Sequence, residues 1–280
     1  MKNRIRLLAI DIDGTLLDTR FQLSQANRQA VLAAREAGVE IVLVTGRRFG
    51  SALPIVQQLP IDLTVISSGG AVVKSKTGAT LWRQLLRKEQ ARAVLAAAGR
   101  DRKFAFLLFD REGVGQIVAE TLQPEHPAAQ RYLERSRPDL QQVARLEDAL
   151  TEDPIQVLFA GALAPLRQLE EKLKHAPFAH SISLARTEYP LRDLILLDVL
   201  DRACNKGRAL ARWAAHRGLR AQETMAIGDN WNDREMLEFA GLPVLMGNSS
   251  EELKQTGWAV TGSNDEDGVA AAITRYLLSA

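Results

Sequence analysis

Both ends of this chain alternate short β-branched runs with amphipathic runs of helical period, and the stretch between them does not. In the first 80 residues, RLLAI (6–10), VEIVLVT (39–45) and LTVISS (63–68) read as strands. They lack a clean apolar–polar alternation, as expected of strands buried on both faces. SQANRQAVLAAREAG (24–38) reads as a helix, with Ser24 as N-cap and Gly38 as stop. The last 80 residues repeat the rhythm with a helix at 206–218, a strand and turn TMAIGDN (224–230) and a helix at 232–241. LPVLMGN (242–248), a short helix from Ser250, WAVTG (258–262) and a closing helix over 266–279 follow. Such alternation argues for a parallel sheet covered by helices.

The middle has a different pattern. FAFLLFD (104–110) and VGQIVAE (114–120), separated by Arg-Glu-Gly, read as a hairpin. A polar stretch with Pro124, Pro127 and Pro138 leads to PIQVLFAG (154–161), a helical segment at 164–175 and HSISLAR (180–186). This is α+β patterning, so a second domain is expected as an insertion over 83–188, with the core formed by 1–82 and 189–280. At 46% apolar, a chain of 280 residues is able to bury two such cores. Its 36 basic and 34 acidic residues leave a net charge of +2 with no basic tract, so no nucleic-acid partner is expected. Cys204 is the only cysteine, which excludes an intrachain disulfide and points to a reducing compartment. Lys2, Arg4 and Arg6 precede an apolar run, but Asp11 interrupts it too early for a leader sequence. With no run of about 18 uncharged apolar residues either, the expectation is a cytoplasmic protein without a membrane partner. His126, His175, His180 and His216 show no zinc-site spacing.

Four core strands lead into unusual polar residues: Asp11-Ile12-Asp13-Gly14-Thr15, Thr45-Gly46-Arg47, Ser67-Ser68-Gly69-Gly70, and Gly228-Asp229-Asn230-Trp231-Asn232-Asp233. Lys206 opens a helix between the last two. Each alone has an ordinary reading. Asp-Gly is a common turn, Thr45-Gly46 suits the start of a helix, and Lys206 or Arg47 suits a solvated surface. Taken together they follow strands, in order, and ligands of open α/β sheets bind beyond the carboxyl ends of the strands. Asp11 and Asp13 are like charges one residue apart, and a cation between them would remove the repulsion. Asp11 and Asp229 are hard oxygen ligands suited to Mg2+. Thr45 and the amides of Gly14 and Gly46 suit phosphate oxygens, and Lys206 adds positive charge, so the set fits phosphoryl transfer.

Through DIDGTLLD (11–18), VLVTGR (42–47), NKGRAL (205–210) and GDNWNDREML (228–237), the sequence resembles the haloacid dehalogenase superfamily, and within it the Cof-like phosphatases with a large α/β cap. The resemblance implies a Rossmann-like doubly wound parallel sheet with an inserted α+β cap domain. It implies a Mg2+-dependent phosphatase acting on small phosphomonoesters, sugar phosphates or phosphorylated cofactor precursors, through an aspartyl-phosphate. Asp11 would be the nucleophile and Asp13 the general acid and base, while Thr45 and Lys206 stabilise the phosphoryl group. Asp11, the backbone carbonyl of Asp13 and Asp229 would bind Mg2+, supported by Asp233. Ile12, Gly14, Gly46, Arg47 and Asn232 would stand around the phosphate. The expected partner is a small phosphorylated molecule, and the expected assembly a monomer or small homo-oligomer. A phosphomutase or phosphotransferase would pass the same intermediate to an alcohol. A non-catalytic ligand-binding relative would usually have lost a catalytic carboxylate, and a dehalogenase does not use the second aspartate. Two departures stand out: Gly69-Gly70-Ala71 where the family commonly has Asn-Gly-Ala, and Asp201 and Ala203 where a Pro and a Gly usually precede the lysine.

Overall fold

The computed structural model describes residues 5–123, 126–135 and 137–279, in two compact units. One unit is Met1–Arg83 with Asn205–Ala280, and the other is Gln84–Cys204. In the first, β1 (Leu7–Asp11), β2 (Glu40–Val44) and β3 (Thr64–Ser67) run parallel. Leu8 and Ile10 enter one apolar cluster, and Leu7 and Ala9 the other, so both faces of β1 are covered. The helix Gln25–Glu36 starts where expected, its cap formed by the Asn27 N–H donating to Ser24 Oγ at 3.1 Å. After β3 the chain reverses into β4 (Val72–Ser75) and β5 (Thr80–Arg83), which pair antiparallel at the sheet edge. The sequence pattern signals neither strand, and β5 is short and mostly exposed.

The second unit contains β6 (Ala105–Leu108), β7 (Ile117–Ala119), β8 (Leu140–Gln142), β9 (Gln156–Gly161), β10 (Ile182–Tyr189) and β11 (Leu194–Asp201). Their order across the sheet is β10-β11-β9-β6-β7-β8, with the expected β6–β7 hairpin antiparallel. The helices Lys88–Ala98 and Leu163–Lys174 bury Val94, Leu95, Leu166, Leu169 and Leu173 with Leu107, Val157, Phe159 and Leu197 of the sheet. The boundary expected at 188 falls inside this unit, which extends to Cys204. The chain turns at Asp193 (φ +47°), and β11 then pairs with β10 on one side and β9 on the other. An apolar run held between two neighbours belongs to the inserted sheet. A helix, Pro127–Arg135, occupies much of the polar stretch, while Pro124 lies outside the described residues, as do Lys2 and Arg4.

The chain returns through the helix Lys206–His216 to β12 (Thr224–Gly228), β13 (Leu242–Leu245) and β14 (Ala259–Val260). The first sheet has the order β14-β13-β12-β1-β2-β3-β4-β5, parallel from β14 to β3. The closing helix is Gly268–Ile273 followed by a wider turn, Thr274–Leu278. Among the described residues, no helix is long and apolar enough to cross a membrane.

Candidate active site

Ile10 of β1 lies opposite Ile227 of β12, so Asp11 ends β1 beside Gly228 and Asp229 follows directly at the carboxyl edge of the sheet. Gly14 (φ +82°) presses its backbone on the second carboxylate: a Cβ there would stand 2.5 Å from Asp229 Oδ2. The next residue, Thr15, donates from Oγ1 to Asp229 Oδ1 at 3.1 Å. Lys206 is the first residue of a helix capped by Asn205, whose Oδ1 accepts the Arg208 N–H at 2.6 Å. Its ammonium is 2% exposed and donates to Asp11 Oδ1 and Asp233 Oδ1, each at 2.6 Å. Asp233 is fully buried, and its Oδ2 accepts the amides of Asp229 at 3.0 Å and Asn230 at 3.1 Å. It therefore shapes the turn that presents Asp229.

Three carboxylates thus crowd together, with oxygens of Asp11, Asp229 and Asp233 within 4.8 Å of one another, and Lys206 bonds two of them. Burial, and next the charge of Asp233, push the Asp11 carboxyl up to about 7, although Lys206 acts against the shift. Burial, followed by Asp11 and Asp233, holds Asp229 well above the usual carboxylate range. Burial alone would lower Lys206, but the two carboxylates outweigh it and keep the ammonium charged. Buried excess negative charge on oxygen-only donors fits a hard divalent cation, and the Asp13 carbonyl is close in the chain.

A second pairing stands beside the first. Arg47 grips Asp13 through two bonds, Nε to Oδ2 at 2.6 Å and NH2 to Oδ1 at 2.5 Å, a bidentate geometry that fixes the carboxylate's orientation. Thr45 is buried, and its Oγ1 accepts the Arg47 N–H at 3.0 Å, a bond that leaves its own proton to donate elsewhere. A Cβ on Gly46 would lie 3.8 Å from Asn232 Nδ2, so the 45–47 turn and the 228–233 loop meet there. The Ile12 side chain is fully buried in the apolar core, and only its backbone faces polar chemistry. Sequence reasoning assigned no role to Thr15 and overlooked Asn248, whose Nδ2 donates to the Gly14 carbonyl at 2.9 Å. The signal was present in LPVLMGN (242–248), a fifth strand with a polar end.

A family model described as haloacid dehalogenase-like hydrolase matches residues 8–273. Pyridoxal phosphate phosphatase YbhA of Escherichia coli (strain K12) is 30% identical, over 98% of this chain and 99% of its own. The 5-amino-6-(5-phospho-D-ribitylamino)uracil phosphatase YwtE of Bacillus subtilis (strain 168) is also 30% identical, over 98% of each chain. Among solved structures, a haloacid dehalogenase-like hydrolase from B. subtilis matches with a TM-score of 0.80 at 27% identity, covering 96% of this chain and 99% of its own.

Proposed function

This chain belongs to the haloacid dehalogenase-like hydrolases and is a phosphatase, and we propose that it hydrolyses small phosphomonoesters through an aspartyl-phosphate with Mg2+ as cofactor. The observation that carries this reading is the division of two neighbouring carboxylates. Asp11 is buried on a lysine, and Asp13 is held apart by an arginine. Different environments suit different roles.

Lys206 engages Asp11 Oδ1, which leaves Oδ2 to attack phosphorus in line with the leaving oxygen. The bond from phosphorus to that oxygen breaks as the Asp11 acyl phosphate forms. Once the anionic substrate has drawn Arg47 away and Asp13 has taken a proton from solvent, Asp13 gives that proton to the leaving alcohol and then takes one from the water that attacks the acyl phosphate. Inorganic phosphate leaves and the Asp11 carboxylate is regenerated. The Thr45 hydroxyl, the Gly46 amide and Asn232 hold phosphoryl oxygens, with Ile12 and Gly14 contributing backbone. A Mg2+ held by Asp11, Asp229 and the Asp13 carbonyl, with Asp233 behind it, supplies the positive charge that lets an anionic ester approach these carboxylates. Relatives named for pyridoxal phosphate and for a phosphorylated ribitylaminouracil support phosphorylated cofactor precursors, beside sugar phosphates, as the substrate class.

Phosphate release from an aryl phosphate and from a panel of phosphorylated sugars and cofactors tests the reading. Asp11→Asn should reduce turnover by several orders of magnitude, because an amide does not attack phosphorus. Chelator should abolish activity and Mg2+ restore it, while Ca2+, with more ligands at longer distances, should support it poorly. Asp11→Asn activity within about tenfold of wild type, or full activity in chelator, would end the proposal.

A further inference from the structure

The segment that carries Asp13 lies outside the strands and helices and is ordered locally by isolated bridges and a few backbone bonds, among them Leu16 N–H to the Asp11 carbonyl at 3.2 Å and Asp18 N–H to the Gln22 carbonyl at 3.0 Å. Side chains from the far end of the chain hold it as well. Asn248 Nδ2 donates to the Gly14 carbonyl at 2.9 Å, and Asn264 Nδ2 donates to the Leu17 carbonyl at 2.9 Å. Asp265 Oδ1 accepts the Thr19 N–H at 2.9 Å and the Thr19 hydroxyl at 3.0 Å. Asp267 Oδ1 accepts the Ser24 hydroxyl at 2.5 Å. The four supports meet the segment in the same order along both stretches of the chain. They are tied to each other as well, since the Asn264 N–H donates to Asn248 Oδ1 at 3.0 Å.

We propose that Asn248 is a positioning residue of the reaction, the member of this brace that sets the place of Asp13. The proposal rests on the reading of Asp13 as acid and base. Gly14 follows Asp13 directly and lies on the Asp229 carboxylate, and Thr15 bonds that same carboxylate. Fixing the Gly14 carbonyl therefore fixes the peptide between the acid–base residue and the residue that steadies Asp229. The carboxamide serves both partners of Asn248 at once, its Nδ2 donating to a carbonyl and its Oδ1 accepting an N–H. A carboxylate there would keep the N–H and oppose the carbonyl oxygen with its own charge.

The test compares Asn248→Asp, which keeps the acceptor and loses the donor, with Asn248→Ala, which loses both. Ser24→Ala, at the far end of the same brace, is the control. Both Asn248 variants should lose about tenfold to a hundredfold in kcat, as misplaced catalytic groups do, with KM within about threefold. Half-saturation by Mg2+ should rise in both. The Leu16 and Leu17 amides, bonded to the Asp11 and Ile12 carbonyls at 3.2 and 3.0 Å, should exchange hydrogen faster. Ser24→Ala should lower Tm and leave kcat within about twofold. Unchanged kcat in both Asn248 variants, or an equal kcat loss in Ser24→Ala at matched Tm, overturns the proposal. A wild-type enzyme without phosphomonoesterase activity would sink the acid–base reading instead. Amide exchange in Asn248→Asp would then still decide the brace, and unchanged exchange would refute it.

Discussion

Burial of three carboxylates around one ammonium decides how the site responds to pH. The folded-state pKa of Asp11 lies at about 7, above its ordinary 3.8, so the native protein holds a proton that the unfolded chain releases. The stability tied to that proton is present at low pH and lost as pH rises through about 7, and Asp229 acts with the same sign. Carboxylates held low, such as Glu147 at about 2 through its hydrogen bond to Arg102, act oppositely but only in more acid solution. In chelator, Tm should therefore fall between about pH 5 and about pH 8, and Mg2+ should raise it more at the higher pH, because the metal binds the deprotonated carboxylates. A Tm that climbs over this range in chelator would contradict the assignment. These charged residues are legible in the sequence because each ends a buried strand or opens a helix, where a charge without a partner would be costly. The Arg47–Asp13 grip and the Asn248–Gly14 bond are not legible, since 34 and 234 residues separate the partners and only the folded chain brings them together.

Elements carry this arrangement through a few close contacts between helices. The helix Lys206–His216 lies so near the helix Arg234–Phe239 that a Cβ on Gly207 would stand 2.3 Å from the Glu235 carbonyl oxygen. Gly207→Ala should force the two helices apart, pulling Lys206 from Asp233, at a cost of about 1–3 kcal/mol of overpacking. Gly218→Ala is the comparison, since a Cβ on Gly218 would meet nothing within 4 Å and the change brings only backbone strain at φ +66°. We expect Gly207→Ala to lower Tm by several degrees and to lose more kcat than Gly218→Ala. Thermal melts and kinetics of the two variants decide it, and unchanged kcat in Gly207→Ala would show that the helix contact does not position Lys206. Strands buried on both faces, such as β1 and β2, are the most legible elements, because their apolar runs have no other place to go. β4 and β5 escape notice because an edge hairpin needs little apolar surface. β11 is as apolar as a core strand, and its sequence does not say which of two sheets receives it.

At the scale of the whole molecule, each unit has its own sheet, with an apolar cluster on each face of the first and one in the inserted unit, and the ends of the insertion meet. Gln84 Nε2 donates to Asp201 Oδ1 at 3.2 Å, and the Cys204 thiol donates to the Gln84 carbonyl at 3.5 Å. A short flexible linker in place of Gln84–Cys204 should therefore close the remaining chain without strain. The side chains placed above in the site, Thr15, Thr45, Lys206, Asp229 and Asn248 among them, belong to that remaining chain. The excised protein should fold, gain Tm with Mg2+ and hydrolyse a small aryl phosphate within about tenfold of the intact enzyme. If the inserted unit recognises a larger leaving group, preference among phosphorylated sugars and cofactors should collapse on its excision. Steady-state kcat/KM on both substrate types measures this. Equal losses on aryl and sugar phosphates, in an excised protein shown to be folded, would place substrate selection in the remaining chain instead.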